Sequence, residues 1–469
     1  MQLYQRALFG KKVLIVGLGR SGIAAARLCA ARGAQVTVTD SQPAESLATA
    51  LAQLPAAAKQ EVGGHRAETF LGADIVVLSP GVPSLPEVEA ARKRGITVTG
   101  ELELASWFVD APIVAITGTN GKSTTTTLCG AILSANGRPT FVGGNLGVPL
   151  AEAVGTPAGD SGGVCVLEVS SFQLETVESF RPQVAVLLNI SPDHLDRHGT
   201  LEAYAATKAR IFAAQTPADF AVINIDDPLV EAAAKGIRSQ CVLISTRRAL
   251  IAGGWIESDA LCVRLAGGPI EYYPAHLLGL VGRHNLENAL AALVAGRLAG
   301  ALPAEARHAL LAFRPLAHRM ELVGELDGVL FYDDSKGTNV GAVVAALDRF
   351  PRPVVLIAGG RDKGGSYEPL AQVMKQAGRG AVLIGEAAPK MREALAPVVP
   401  VEMAATMEAA VAQATTMARS GDAVLLSPAC SSFDMFRSYQ HRAEVFRAAV
   451  KDLIAQTRVG HGVLQEKSR

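Results

Sequence analysis

The stretch that most constrains this chain is Ala111 to Thr125. An apolar, β-rich run ends there at Thr117-Gly118-Thr119-Asn120-Gly121-Lys122-Ser123-Thr124 and passes at once into helical spacing at Leu128, Ile132 and Leu133. Strand, glycine turn and helix N-terminus in that order make a phosphate-gripping loop. Backbone N–H groups point at an anion, Lys122 adds a point charge, and the Ser123 hydroxyl is offered to magnesium. The general pattern G-x-x-x-x-G-K-[ST] needs glycine where Ile116 stands, so this loop is the tighter G-x-x-G-K-S starting at Gly118. The bland alternative is a chance glycine turn, and the flanking strand and helix weigh against it. Nucleotide binding is the expectation.

With 469 residues the chain exceeds one hydrophobic core, so two to four domains of about 100–200 residues are expected. Lys and Arg total 44 and balance 44 Asp and Glu, which excludes a global field drawing the chain to nucleic acid or an anionic membrane. Any bound anion must be held locally. The six cysteines, Cys29, Cys129, Cys165, Cys241, Cys262 and Cys430, are scattered without a C-x-x-C pair and read as buried thiols of a reducing compartment. Met1 to Gly10 lacks a signal-peptide core, and no run of about 18–20 residues is uninterruptedly apolar. A soluble, cytoplasmic, monomeric protein is expected.

Residues 1–100 open with strand Lys12 to Val16, the turn Gly17-Leu-Gly19-Arg20-Ser21-Gly22, a helix through Ala24, Leu28 and Cys29, and a second strand ending in Asp40. Taken alone this is a dinucleotide fingerprint, with Asp40 placed to hold a ribose hydroxyl. An NAD-dependent oxidoreductase is therefore a rival reading, although G-x-G-x-x-G says only that a phosphate or sugar can approach the backbone. The third strand read from the sequence, Ala73 to Leu78, ends in Ser79-Pro80-Gly81-Val82-Pro83, at the carboxyl edge where open α/β sheets bind ligands, or else in an ordinary turn. Helix Leu85 to Arg94 and strand Ile96 to Thr99 complete this part.

Between 101 and 315 a loop of small residues, Gly143-Gly144-Asn145-Leu146-Gly147, precedes strand Gly163 to Val169, which carries Glu168 near its end. A carboxylate leaving a strand beside a phosphate loop is the usual second anchor for magnesium; a surface salt bridge is the alternative. Strand Val184 to Ile190 empties into Ser191-Pro192-Asp193-His194, where the histidine sits beside an acid at a strand exit. Helix Leu201 to Ala214 carries Lys208, and nothing local promotes it over a solvated lysine. Strand Phe220 to Ile225 ends in Asp226-Asp227, short strands and turns fill about 240–275, and a helix opens at Gly282 with Asn285 and Asn288 on one face, set to read a base edge or merely to cap.

From 316 to 469, His318-Arg319 precedes strand Val329 to Tyr332 and the loop Asp333-Asp334-Ser335-Lys336-Gly337-Thr338-Asn339. Strand Val354 to Ala358 runs into Gly359-Gly360-Arg361-Asp362-Lys363, and strand Ala423 to Ser427 into Pro428-Ala429-Cys430-Ser431-Ser432-Phe433-Asp434. Alternation of strands and helices implies a largely parallel sheet covered on both faces. Polar strand-exit loops are partly generic, yet Lys336, Lys363 and Ser432 on one edge suit a carboxylate ligand. The tail from about Thr457 is expected to fray.

Taken in order, the glycine loop, the Glu168 strand, Asp193-His194, the Asn285/Asn288 face, His318-Arg319 and Asp334-Ser335-Lys336 resemble the Mur ligases, three-domain ATP-dependent amide-forming enzymes of peptidoglycan synthesis. The loops Asp334 to Asn339 and Ser427 to Asp434 look like those of members that join D-glutamate to UDP-N-acetylmuramoyl-L-alanine. The resemblance implies an α/β fold with a Rossmann-like N-terminal domain (1–100, UDP substrate), a central P-loop ATPase domain (101–315) and a Rossmann-like C-terminal domain with a mainly parallel sheet (316–469, amino acid). It implies that Gly118, Thr119, Asn120, Gly121, Lys122, Ser123, Thr124, Asn285, Asn288, Arg319 and Asp334 bind ATP. Ser123 and Glu168 would hold one magnesium ion, and His194 with a carbamylated Lys208 a second. Gly19, Arg20, Ser21, Ser41, Ser79, Pro80, Gly81 and Asn145 would meet the UDP substrate; Lys336, Thr338, Lys363, Ser432, Phe433 and Tyr439 would meet D-glutamate. Lys122, His194, Lys208 and Lys336 are the implied catalytic set. Ser41-Gln42 stands where the family pattern has Thr-Arg, and Tyr439 where it has phenylalanine. Besides the oxidoreductase, a nucleotide-switched binding protein without ligase turnover is the remaining rival.

Overall fold

A computed structural model describes residues 8–135, 137–278, 283–314, 317–348 and 350–466. Gly282 and residues 1–7 lie outside the described residues. Among the described residues, twenty strands form three sheets, one for each part of the three-domain architecture.

The first sheet contains β1 (Lys12–Val16), β2 (Gln35–Asp40), β3 (Lys59–Val62), β4 (Ile75–Leu78) and β5 (Thr97–Gly100), all parallel, in the order β3-β2-β1-β4-β5. The central β1 and β4 are buried apolar runs, and Leu14, Val16 and Val76 share one core with Phe70 and Val88. β3 was not legible in the sequence. It is an edge strand reading Lys-Gln-Glu-Val with no buried residue, so it shows neither alternation nor an apolar run. The strand order reverses between β1 and β4, and the crevice outside such a reversal is where these sheets take ligands.

The second sheet contains β6 (Ile113–Thr117), β7 (Thr140–Gly144), β8 (Val164–Glu168), β9 (Val184–Leu187), β10 (Phe220–Asn224), β11 (Gln240–Ser245), β12 (Gly253–Glu257), β13 (Ala260–Arg264) and β14 (Glu271–Pro274). Their order is β14-β13-β12-β11-β10-β9-β6-β8-β7; β12, β13 and β14 pair antiparallel and the rest parallel. β6, β8 and β9 are buried at every position, as strands covered on both faces must be. Gly143 and Gly144, expected in a loop, close β7 instead.

The third sheet contains β15 (Glu321–Leu326), β16 (Val329–Asp333), β17 (Val354–Gly359), β18 (Gly378–Ile384), β19 (Val401–Met403) and β20 (Ala423–Leu426), in the order β15-β16-β20-β17-β18-β19. Only β15 runs antiparallel to its neighbour. Alternation along β17 divides the core: Val354, Leu356 and Ala358 face one cluster, Val355 and Ile357 the other. The chain beyond Thr457, expected to fray, continues helix Tyr439–Glu466.

The described residues within Met1–Ile190, Tyr204–Leu278 and Glu287–Phe313 form one compact unit, which holds the first two sheets. Those within Ser191–Ala203, Gly279–Leu286 and Arg314–Arg469 form a second, which holds the third sheet. The Asp193-His194 loop thus belongs to the second unit although it follows β9. Among the described residues no helix is long and apolar enough to cross a membrane.

Candidate active site

The phosphate loop leaves β6 and enters helix Lys122–Ser134. Gly118 and Gly121 have φ of 153° and 84°, which L side chains rarely adopt, and a Cβ at Gly121 would run into the Asn288 amide. Asn288 is therefore packed on the loop itself. From the exit of β9, Asn189 clasps the loop: its Oδ1 accepts from Asn120 N at 2.8 Å, and its backbone carbonyl accepts from Thr119 N at 2.9 Å. Glu287, which burial pushes up to about 7, hydrogen-bonds that same Asn189 and Asn224. Neither Asn189 nor Glu287 was singled out from the sequence, because the contacts that give them a role span 60 residues or more of chain.

Lys122 Nζ donates to the Gly118 and Thr119 carbonyls at 2.8 and 2.7 Å, so the cation is folded over the loop it serves. Ser123 Oγ donates to Glu168 Oε2 at 2.6 Å, while Asn145 Nδ2 donates to Glu168 Oε1 at 2.6 Å. A carboxylate 3% exposed and a hydroxyl are hard oxygen donors suited to magnesium. Lys208 corrects the expectation of a solvated lysine. It is 1% exposed, lies 4.6 Å from the centre of the Tyr204 ring, and donates to Gly118 O at 2.8 Å.

In the same unit, Gly19, Arg20, Ser21, Ser79, Pro80 and Asn145 line a cleft of about 200 Å³ at the carboxyl edge of the first sheet. Arg20 Nη1 donates to Gly147 O at 3.3 Å across it. Ser41, at the exposed exit of β2, and Gly81, in the turn after β4, are not on its wall. Asp40 differs from its dinucleotide role. Its two carboxylate oxygens accept from Leu18 N at 2.8 Å and Gln42 N at 2.9 Å, so the acid braces the glycine turn.

The second unit gathers the remaining residues. His194 adopts φ 53°, and its neighbour Asp193 pairs with Lys363 Nζ at 3.0 Å and accepts from Asn339 Nδ2 at 3.1 Å. Arg319 lies between two left-handed residues, His318 at 63° and Met320 at 48°. His318 Nδ1 meets Asp333 at 2.8 Å, and Arg447 bridges Asp333 and Glu321. That guanidinium fills the only histidine-carboxylate group of metal-ligating composition among the described residues. Burial raises the Asp333 carboxyl, but hydrogen bonds from Ser335 and His318 prevail and hold it below the ordinary range. Burial pushes Asp334 up to about 6 against the pull of Arg319 and of the Ser427 hydroxyl, which donates at 2.7 Å.

Lys336 lies with its ammonium 5.8 Å from the centre of the Tyr439 ring, Thr338 follows in the same loop, and Ser432 is buried after β20. Phe433 differs, at 67% exposed. Asn285 falls in the second unit and Asn288 in the first, though both lie on helix Arg283–Leu298.

Three family models match in chain order: the Mur ligase MurD-like N-terminal domain over residues 11–100, the Mur ligase middle domain over 116–296, and the Mur ligase glutamate ligase domain over 318–430. The UDP-N-acetylmuramoylalanine–D-glutamate ligase of Geotalea daltonii is 48% identical over 95% of this chain and 98% of its own length. The enzyme of the same name from Geobacter sp. strain M21 is 49% identical, with the same coverage. Among solved structures, a pseudomurein peptide ligase type C from Methanothermus fervidus superposes with a TM-score of 0.60 at 19% identity, covering 95% of this chain and all of that one. The MurF ligase of Thermotoga maritima in complex with ADP gives 0.58 at 17% identity, covering 96% and 97%. These structures share the three-sheet fold, and the near-half identity sustained along almost the full length of the curated relatives establishes that this chain belongs to the Mur ligase family.

Proposed function

We propose that the chain adds D-glutamate to UDP-N-acetylmuramoyl-L-alanine at the expense of ATP, a step of peptidoglycan precursor synthesis. The observation that carries this is the 48% identity over 95% of the chain to relatives bearing that activity in their name. The alanyl carboxylate attacks the γ-phosphorus and displaces ADP, and the D-glutamate amine then attacks the resulting acyl phosphate, losing a proton and displacing inorganic phosphate to leave the amide.

Like charges must first meet. Two unit charges about 4 Å apart repel by roughly 4 kcal/mol at an effective dielectric of 20, and a carboxylate facing a triphosphate meets several such terms. Lys122 and the loop N–H groups offset that repulsion where charge develops. Magnesium held by Ser123 and Glu168 would neutralise further phosphate charge. Lys208, as a carbamate, is our proposed ligand for a second ion, since an anionic oxygen suits a hard cation and an ammonium does not.

We assign residues 1–100 to the UDP substrate, with Arg20, Ser21 and Ser79 in its cleft, 101–315 to ATP, and 316–469 to the amino acid, met by Lys336, Thr338, Lys363 and Ser432. Phosphate release from ATP and magnesium, measured with UDP-N-acetylmuramoyl-L-alanine and one of D-glutamate, L-glutamate, L-lysine or meso-diaminopimelate, tests the reading. Stimulation by D-glutamate alone, with the matching product mass, is expected. Stimulation by another amino acid would overturn the assigned acceptor, and stimulation by none would favour a nucleotide-switched binding protein.

A further inference from the structure

Arg442 is the largest fully buried side chain among the described residues, 0% exposed, in the first turn of helix Tyr439–Glu466. Its Nη2 donates to Ser335 O at 2.9 Å and its Nη1 to Cys430 O at 3.2 Å, while Nε has no partner. A Cβ on Gly360 would touch its Nη1, so the exit loops of β16, β20 and β17 all close on this one guanidinium. Among the described residues no carboxylate forms an ion pair with it. Asp333 is taken by His318, Arg447 and Ser335, Asp334 by Ser427, and Asp434 by Glu386 N at 2.9 Å. Burial lowers the Arg442 guanidinium to about 10, although the nearby Cys430, Asp434, Asp333 and Asp334 all favour its charged form, so the compensation is only partial.

A buried charge without a partner is costly, and bracing two carbonyls needs hydrogen-bond donors but no net charge. The residues directly after the two braced carbonyls are Lys336 and Ser431, with Ser432 one step further.

We propose that Arg442 is a positioning residue for the acidic amino-acid substrate: it holds the Ser335 and Cys430 loops in register, and its charge, partly compensated and without an ion-paired carboxylate, favours a ligand that brings two carboxylates. The inference rests on the reading of this unit as the D-glutamate site.

The test compares the wild-type chain with Arg442→Lys and Arg442→Gln. It measures KM for each of the three substrates, kcat, thermal stability, and competitive inhibition by glutarate against its monoamide, which carries one charge fewer. Arg442→Gln is expected to raise KM for D-glutamate about tenfold or more, with KM for ATP within about twofold, and to shrink the preference for glutarate over the monoamide; Arg442→Lys restores part of both. An unchanged preference, a parallel rise in all three KM values, or failure of both variants to fold would each reduce Arg442 to architecture and overturn the proposal. If the wild-type chain itself is not stimulated by D-glutamate, the functional reading falls and the inference with it, a result separable from the others because it needs no variant.

Discussion

The chain carries two glycine turns that look alike on paper and are built for different work. Gly17 to Gly22 leaves β1, and Gly118 to Ser123 leaves β6; each follows a buried parallel strand and opens a helix. In the first, a Cβ on Gly22 would run into Gly17 O and the Ser79 hydroxyl, and both Asp40 oxygens are spent on backbone N–H groups. That turn is held by its own scaffold and has no cation in the position of Lys122. In the second, the polar side chains Lys122, Ser123 and Glu168 are engaged with the loop or with one another at 2.6–2.8 Å. The lesson is that glycine spacing reports close backbone approach, whereas the neighbours reached through the fold report which ligand approaches.

The comparison can be broken in order of effect. Lys122→Ala is expected to cut D-glutamate-dependent phosphate release by about 10³-fold while leaving the circular dichroism spectrum unchanged. An activity loss below tenfold would place the phosphate grip elsewhere. Glu168→Gln is expected to lower kcat by about 10²-fold and to raise the magnesium concentration needed for half-maximal rate, since a neutral amide is a poorer ligand for a hard cation.

Gly22→Ala acts on the other turn and on the other property. It is expected to destabilise the chain by about 3 kcal/mol in urea unfolding, because backbone cannot move aside cheaply, whereas Gly19→Ala, with nothing within 4 Å of its Cβ, should cost less than about 1 kcal/mol. Equal effects of the two would refute the packing account.

The smallest effect separates two buried glutamates, one ending a strand and one directly following a strand. Glu168 has both oxygens occupied, but Glu101, after β5, has Oε1 on Ala151 N at 2.7 Å and no partner for Oε2. Burial, aided by Glu152, pushes Glu101 up to about 7 from its ordinary 4.5. The unfolded chain therefore releases this proton first, so stability falls as pH rises from 4.5 to about 7 and stays lowered above. Glu101→Gln should flatten that slope and stabilise the chain by about 1 kcal/mol at pH 8, with no gain at pH 4, as read by thermal unfolding across pH. A gain at pH 4 equal to that at pH 8 would exclude ionisation as the cause.

The central parallel strands and both glycine turns were legible because their signals are local: apolar runs of four to six residues punctuated by glycine or proline, each leading into helical spacing. Edge strands such as β3 and β19 were not, since strands with little or no buried surface show no hydrophobic pattern. Single site residues were legible only as residue types at strand exits. Asp193 was read as the acid beside His194, yet its partner Lys363 is 170 residues away. Lys208 was read as solvated because its burial comes from packing against the phosphate loop, which helical periodicity does not encode.

By itself the sequence determined the central parallel strands of the sheets, the phosphate loop and, through the order of its motifs, the family, because strand burial, glycine geometry and helix entry are properties of contiguous residues. Only the tertiary structure decided that Ser123 meets Glu168, that Asp40 braces a turn, and that Arg442 lies buried beneath three loops without an ion-paired carboxylate. Each of these depends on chain segments 22 to 107 residues apart being brought within hydrogen-bond distance. Distances of that kind are set by how the sheets fold up, and no local pattern carries them.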